Sequence, residues 1–158
     1  MRIVSQVEST TSSNVMIITA SLIHLNAVCE LEQQFGAEAF SKRSLRHFIL
    51  QNKLKVFVDN FGNVIGSAIL LRRKNSNTTR LYSFIIDNKY RDKGIGQVYL
   101  EVLLQDVQTK YIKLEVSENN TAAIKIYTKQ GFAIVDHKPN YYKDNSTAIV
   151  MKKTVDLS

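Results

Sequence analysis

The chain has 158 residues, 44% of them hydrophobic and 22% charged, and its 21 Lys and Arg against 14 Asp and Glu give a net charge of +7. That size suits one domain with one sizeable core, and no run approaches the ~20 apolar residues that span a bilayer. The single cysteine, Cys29, excludes an internal disulfide and a thiolate metal cluster, and the start "MRIVSQVEST" lacks the apolar run of a signal peptide.

A soluble, cytoplasmic protein with no membrane partner is therefore expected. The positive field favours an anionic cofactor, an acidic protein partner or nucleic acid, or is simply a solvated basic surface. No aromatic-plus-basic stripe of the single-strand-binding kind runs along the sequence, so nucleic acid is not the expected partner.

In chain order, "ESTTSSN" (Glu8–Asn14) is too polar for a core, and residues 1–14 read as a flexible lead-in to a single domain over 15–158. "VMIITA" (Val15–Ala20) reads as a strand. Apolar residues at 22, 25, 28, 29 and 31 recur at helical spacing from Leu22 to Gln34, with Gly36 as the stop. Ser41–Asn52 reads as a second helix, capped by Ser41, with Leu45, Phe48 and Ile49 facing inward. "LKVFVDN" and "NVIGSAILLRR" are strand-like, joined by the hairpin sequence Asp59–Asn63, and a turn at Asn75–Thr79 leads into the strand Arg80–Asp87. The three form an antiparallel meander. Leu100, Leu103, Leu104 and Val107 then make one helical face, Tyr111–Val116 is a strand, and Asn120–Gly131 is a helix capped by Asn119 or Asn120. "FAIVDHK" and "TAIVMKK" end the chain as two strands. The crossover from Arg80 to Val116 predicts one parallel strand pair.

Within "YRDKGIGQVYL" (Tyr90–Leu100) a strand, a glycine turn and a helix start follow one another. First-turn N–H groups lack intrahelical partners and the helix dipole adds partial positive charge, so this turn suits a phosphate or pyrophosphate. Gly94 and Gly96 keep side chains out of the way, and Arg91 and Lys93 add charge. It is no Walker loop, since no Gly-Lys-Ser/Thr follows. It is no dinucleotide fingerprint either, since Tyr99 stands where that motif needs glycine. A merely structural turn is the alternative on this spacing alone.

The segments that follow carry a resemblance. Arg91-x-x-Gly94-x-Gly96 resembles the acyl-CoA pyrophosphate loop of the GNAT superfamily of N-acetyltransferases. "LEVSENNTAAIKIYTKQGF" (Leu114–Phe132) resembles that superfamily's second cofactor segment, through Leu114-Glu115-Val116, Asn120, Ala123, Ile126-Tyr127 and Gly131-Phe132. "NYYKDNSTAIVMKK" (Asn140–Lys153) is similar to the tail of the branch that acetylates ribosomal-protein N-terminal alanine. The likeness covers about half the chain, from Leu81 to Lys153.

The resemblance implies a GNAT-like α/β fold: a mixed, mostly antiparallel central sheet flanked by helices, with the parallel pair splayed at the cofactor site. It implies acetyl-CoA as cofactor and no metal. The cofactor's phosphates fall to Arg91, Asp92, Lys93, Gly94, Ile95, Gly96 and Gln97, and its thioester carbonyl to backbone near Phe84, Ile85 and Ile86. Asn120, which is a helix cap on bare chemistry, and Ala123 and Tyr127 complete the cofactor set.

Acetyl transfer needs a base for the amine and an acid for the departing thiolate. Glu115 sits between two apolar residues on a covered strand and faces away from Leu114 and Val116, where partial burial would raise its pKa. The resemblance makes it the general base, directly or through a water; a solvated Glu paired with Lys113 is the plain alternative. It makes Tyr127 the general acid, against a core aromatic. It also sets Tyr141 and Tyr142 at the acceptor entrance. His24, His47 and His137 lack metal-ligand spacing, Cys29 fits helix packing, and Arg72–Lys74 fits a solvated hairpin end.

Ser117, Asn119 and Ser146-Thr147 depart from the ribosomal-protein branch, which has Arg, Ser and an acidic pair there. The implied acceptor is a primary amine, either a protein N-terminus or a small molecule such as a polyamine, or a lysine side chain, acted on by a monomer or homodimer. A non-catalytic module binding CoA or RNA is the other class. The basic surface disfavours a polycationic acceptor.

Overall fold

The computed structural model describes residues 3–7, 15–91 and 94–156. Its strands are β1 (Ile3–Val7), β2 (Val15–Thr19), β3 (Leu54–Val58), β4 (Val64–Leu71), β5 (Thr78–Ile86), β6 (Tyr111–Ser117), β7 (Ala133–Lys138) and β8 (Ala148–Thr154). Its α-helices are α1 (Leu25–Glu32), α2 (Lys42–Leu50), α3 (Ile95–Gln105) and α4 (Thr121–Lys129). The strands hydrogen-bond in the order β1-β2-β3-β4-β5-β6-β8-β7. Pairs β1–β2, β2–β3, β3–β4, β6–β8 and β7–β8 are antiparallel, and β5–β6 is parallel. This is the mixed, mostly antiparallel sheet flanked by helices that the sequence leads one to expect. The reading of residues 1–14 as a flexible lead-in does not hold for Ile3–Val7, which pair with β2 as an edge strand; Glu8–Asn14 lie outside the described residues.

The chain divides into two compact units, each built from two segments, with β5 contributing to both. The first unit runs to Leu70 and adds Ser83–Asp106. Its β3–β4 hairpin turns where Asp59 Oδ1 accepts the backbone N–H groups of Phe61 and Asn63, each at 2.9 Å, and Gly62 takes φ 79°. Ser41 caps α2, its hydroxyl accepting from Ser44 N at 3.1 Å, and Leu45 and Ile49 are buried beneath it. The helix expected over Leu22–Gln34 is more broken than its spacing suggests. It opens as a 3-10 turn (Leu22–His24), is α-helical over Leu25–Glu32, and continues in 3-10 turns through Gln33–Glu38. Gly36 lies inside those turns with φ 55° rather than stopping the helix.

Two features of this unit depend on contacts far apart in sequence. A Cβ on Gly66 would lie 2.5 Å from Ile85 O and 2.6 Å from Phe57 Cδ2, so β4 can pass there only as glycine. Helix α3 buries Tyr99, Leu100, Val102, Leu103 and Leu104, more than one stripe, and Tyr99 stacks on Phe57 with ring centres 4.6 Å apart and planes 11° apart. Val107, assigned to this helical face by its spacing, lies beyond the helix end at Gln105.

The second unit comprises Leu71–Tyr82 and the chain from Val107. Its parallel register runs from Thr78↔Tyr111 to Leu81↔Leu114. Below it, Thr109 Oγ1 donates to Tyr111 O at 2.9 Å, which leaves Thr79 as donor in the buried 2.7 Å bond between the two threonine hydroxyls. Strand β8 is the last in sequence yet lies between β6 and β7, and its residues Ala148–Met151 are all buried. Strand β6 alternates as expected: Ile112, Leu114 and Val116 are buried, while Lys113 is exposed and Glu115 half-buried. Gly131 follows α4 with φ 91°, the left-handed step that ends a helix.

Candidate functional site

In the first unit the glycine turn has the local form expected. Gly94 stands at the N-cap of α3 with φ 73° and ψ 3°, a conformation that strains residues with a Cβ. A Cβ there would meet nothing within 4 Å, so the backbone angle, not crowding, calls for glycine. Gly94 brings no side-chain cap, and the first turn carries no acidic residue. The amides of Ile95, Gly96 and Gln97 therefore have no helical acceptor by geometry. By contrast α2 and α4 both start under a side-chain cap. Asp92 and Lys93 lie outside the described residues.

Arg91 is engaged within the protein. Its Nε donates to Ile86 O at 3.3 Å and its Nη2 to Gln34 Oε1 at 2.6 Å, which ties the approach to α3 onto the end of β5 and the 3-10 segment after α1. Sequence reasoning missed Gln34, because nothing in a one-dimensional pattern pairs residues 57 positions apart. Ile85 and Ile86 are buried, and Phe84 leans on Phe57 with ring centres 5.6 Å apart.

In the second unit the two expected acid–base residues have distinct settings. The Glu115 side chain is 11% exposed; its Oε1 takes Arg80 Nη2 at 3.1 Å and Lys138 Nζ at 3.4 Å. Oε2 is buried with no protein partner. The expectation of a raised pKa is corrected here. Burial pushes the carboxyl up, but the Tyr141 hydroxyl, Arg80 and Lys138 together outweigh it and hold Glu115 below the ordinary carboxylate range. The partners are Arg80 and Lys138 rather than Lys113. Neither was singled out in advance: Arg80 reaches Glu115 only through the parallel β5–β6 register, and Lys138 only because β8 folds β7 back alongside.

Tyr127 is 7% exposed on α4, edge-on to Phe132 with ring centres 5.7 Å apart. Burial first, and the nearby Tyr142 second, raise its hydroxyl well above the usual tyrosine range, so it stays protonated. The consecutive residues Tyr141 and Tyr142, in edge-to-face contact at 5.0 Å, thus serve different neighbours, Glu115 and Tyr127. The bond to Glu115, burial and the carboxylate's charge raise the Tyr141 hydroxyl too. Asn120 caps α4, its Oδ1 accepting from Ala123 N at 3.1 Å, which leaves its amide nitrogen for a further acceptor. A carboxylate kept charged beside a hydroxyl-rich turn, and a phenol kept neutral, suit proton acceptance and proton donation respectively.

A family model described as "Acetyltransferase (GNAT) domain" matches residues 13–155. A Drosophila melanogaster protein named "Probable N-acetyltransferase san" is 36% identical over 104 residues, which cover 60% of this chain and 56% of that protein. A "[Ribosomal protein bS18]-alanine N-acetyltransferase" from Haemophilus ducreyi is 28% identical over 130 residues, 80% of this chain and 88% of that one. The chain spans little more than half the length of the Drosophila relative. Among solved structures, the NatC complex bound to Gag peptide and CoA contains a chain superposing with a TM-score of 0.78 at 19% identity, over 90% of this chain and 99% of that one, which is a likeness of fold. Among the described residues no helix is long and apolar enough to cross a membrane.

Proposed function

Because the chain belongs to the GNAT acetyltransferase family, we propose that it is an acetyl-CoA-dependent N-acetyltransferase that moves an acetyl group to a primary amine by direct transfer in a ternary complex. The observation that carries this reading is Glu115: an ionised carboxylate with one oxygen held by two cations and the other buried and unmatched. An unmatched buried acceptor is costly unless something donates to it, and an amine or an ordered water does so.

The residues present fit the cofactor. The uncapped start of α3, opened by a left-handed glycine, suits a diphosphate, and Gly94–Gln97 would hold it with Asp92 and Lys93 alongside. Arg91 keeps free N–H groups beyond the two it commits to Ile86 and Gln34. Backbone of Phe84–Ile86, beyond the last parallel pair Leu81↔Leu114, would face the thioester carbonyl, and the Asn120 amide nitrogen, with Ala123 beside it, would face the pantetheine arm. Acetyl-CoA, when bound, supplies a thioester-activated acetyl group. Glu115 Oε2 takes the amine's proton, directly or through one water, while Arg80 and Lys138 keep Oε1 fixed. Tyr127 Oη gives its proton to the departing sulfur and is suited to it by remaining protonated far above neutral pH.

The acceptor is read as a protein or peptide N-terminus. The relative named for bS18 alanine and the fold neighbour solved with a peptide support that choice. Residues 15–158 are held to act as one domain, which the family match across both units supports, and the cytoplasm suits its single thiol. The test is thiol release from acetyl-CoA with a panel of amines. Glu115→Gln is expected to cut kcat/KM about 100-fold at neutral pH, and Tyr127→Phe to cut kcat at least about tenfold with acetyl-CoA affinity unchanged. Full activity in both variants would overturn the site; no CoA binding by calorimetry would overturn the function.

A further inference from the structure

Lys113 stands on β6 with a like charge on each side. In register it faces Arg80 on β5 and Lys152 on β8. Neighbouring strands lie about 4.8 Å apart, so the three cations form one short row across three strands. Directly opposed like charges weaken a sheet. Burial does not demand them, since Lys113 is exposed and the Arg80 side chain is 40% exposed. Two tyrosines edge the row: the Arg80 guanidinium sits 4.6 Å from the Tyr82 ring centre and Lys152 Nζ 4.0 Å from that of Tyr111.

Side-chain alternation puts Glu115 on this same face, two residues beyond Lys113, and its ion pairs with Arg80 and Lys138 agree with that placement. Asp136, opposite Val150 on β7, is the other carboxylate of these strands on this face. Cations therefore prevail around the carboxylate to which we assign the amine's proton.

We propose that the row Arg80–Lys113–Lys152 selects an acceptor carrying acidic side chains close to its reactive amine. This rests on the acetyltransfer reading above. Two strand residues separate Glu115 from the row, about 7 Å. An extended peptide advances roughly 3.5 Å per residue. An amine at Glu115 thus puts the third peptide residue over the cations, with the side chain of the second turned to the opposite face, and Asp or Glu at the third position completes the row. Continuity with Glu115 favours a peptide over RNA, whose backbone offers no amine to that carboxylate.

The experiment uses two synthetic peptides, one beginning Ala-Asp-Glu and one beginning Ala-Lys-Arg, with a single-stranded RNA oligonucleotide as a third probe. Thiol release from acetyl-CoA is followed for the wild type, for Lys113→Glu with Lys152→Glu, and for Lys113→Gln with Lys152→Gln, which keeps the test alive if charge reversal fails to fold. Peptide binding without acetyl-CoA is followed by fluorescence anisotropy. The wild type is expected to favour the acidic peptide by at least about tenfold in kcat/KM, as two exposed ion pairs near the top of their usual strength would give. The Gln pair should abolish that preference and the Glu pair reverse it. Equal rates, a basic preference, or RNA that displaces the acidic peptide would overturn the inference while leaving acetyl transfer standing. Acidic-peptide binding that the Gln pair abolishes, with no thiol released for any amine, would keep the acidic-partner inference and overturn the acetyl-transfer reading.

Discussion

Glu115 shows how far one residue can be read from its neighbours in sequence. Its position between Leu114 and Val116 correctly implies partial burial, and burial alone would make it a weaker acid. The structure reverses the sign because three donors surround it, and they come from β5, β7 and the turn after β7. Tyr99 is a second residue whose chemistry is set by distant partners. It is completely buried on Phe57, and its hydroxyl has no hydrogen-bond partner. A buried, unmatched hydroxyl costs about 1–3 kcal/mol. Tyr99→Phe keeps the stacked ring and removes that cost, so it is expected to raise stability by about 1 kcal/mol. Urea unfolding of the two proteins checks this; a less stable variant would mean the hydroxyl is satisfied.

Elements were legible where periodicity and caps agree. Ser41 and Asn120 stand as side-chain caps where the sequence places them, and β6 keeps its alternation. The stretch from Leu22 to Glu38 was less legible: its apolar spacing is helical, but three consecutive helical geometries share it, joined through Gly36. Strand β4 depends on Gly66 in a way that spacing does not disclose, because the crowding comes from Phe57 on β3 and Ile85 on β5. Gly66→Ala would force a methyl group against a backbone carbonyl, which cannot swing aside as a side-chain tip can. The expected loss is about 1–3 kcal/mol, the usual cost of overpacking. A melting temperature within error of the wild type would show that β4 can shift.

At the scale of the whole molecule, the net charge of +7 gives an anionic cofactor a favourable approach. Charges in water interact over roughly a Debye length, about 8 Å at physiological salt. The apparent KM for acetyl-CoA is therefore expected to rise severalfold between about 0.02 M and about 0.2 M ionic strength, with kcat nearly constant. A KM indifferent to salt would place cofactor capture on uncharged contacts alone. Each of the two compact units is itself built from segments far apart in sequence.

The sequence by itself determined the order of strands and helices from Val15 onward, though not the edge strand Ile3–Val7, and with it the one parallel pair and the glycine-opened helix. Those properties are local: periodicity, turn chemistry and cap preference act over a few residues. Only the tertiary structure decided that β8 lies between β6 and β7, that Arg80 and Lys138 meet Glu115, that Gln34 holds Arg91, and that Arg80, Lys113 and Lys152 line up. Strand register and strand order bring distant residues together, and the charge each side chain feels depends on those neighbours rather than on the residues beside it in the chain.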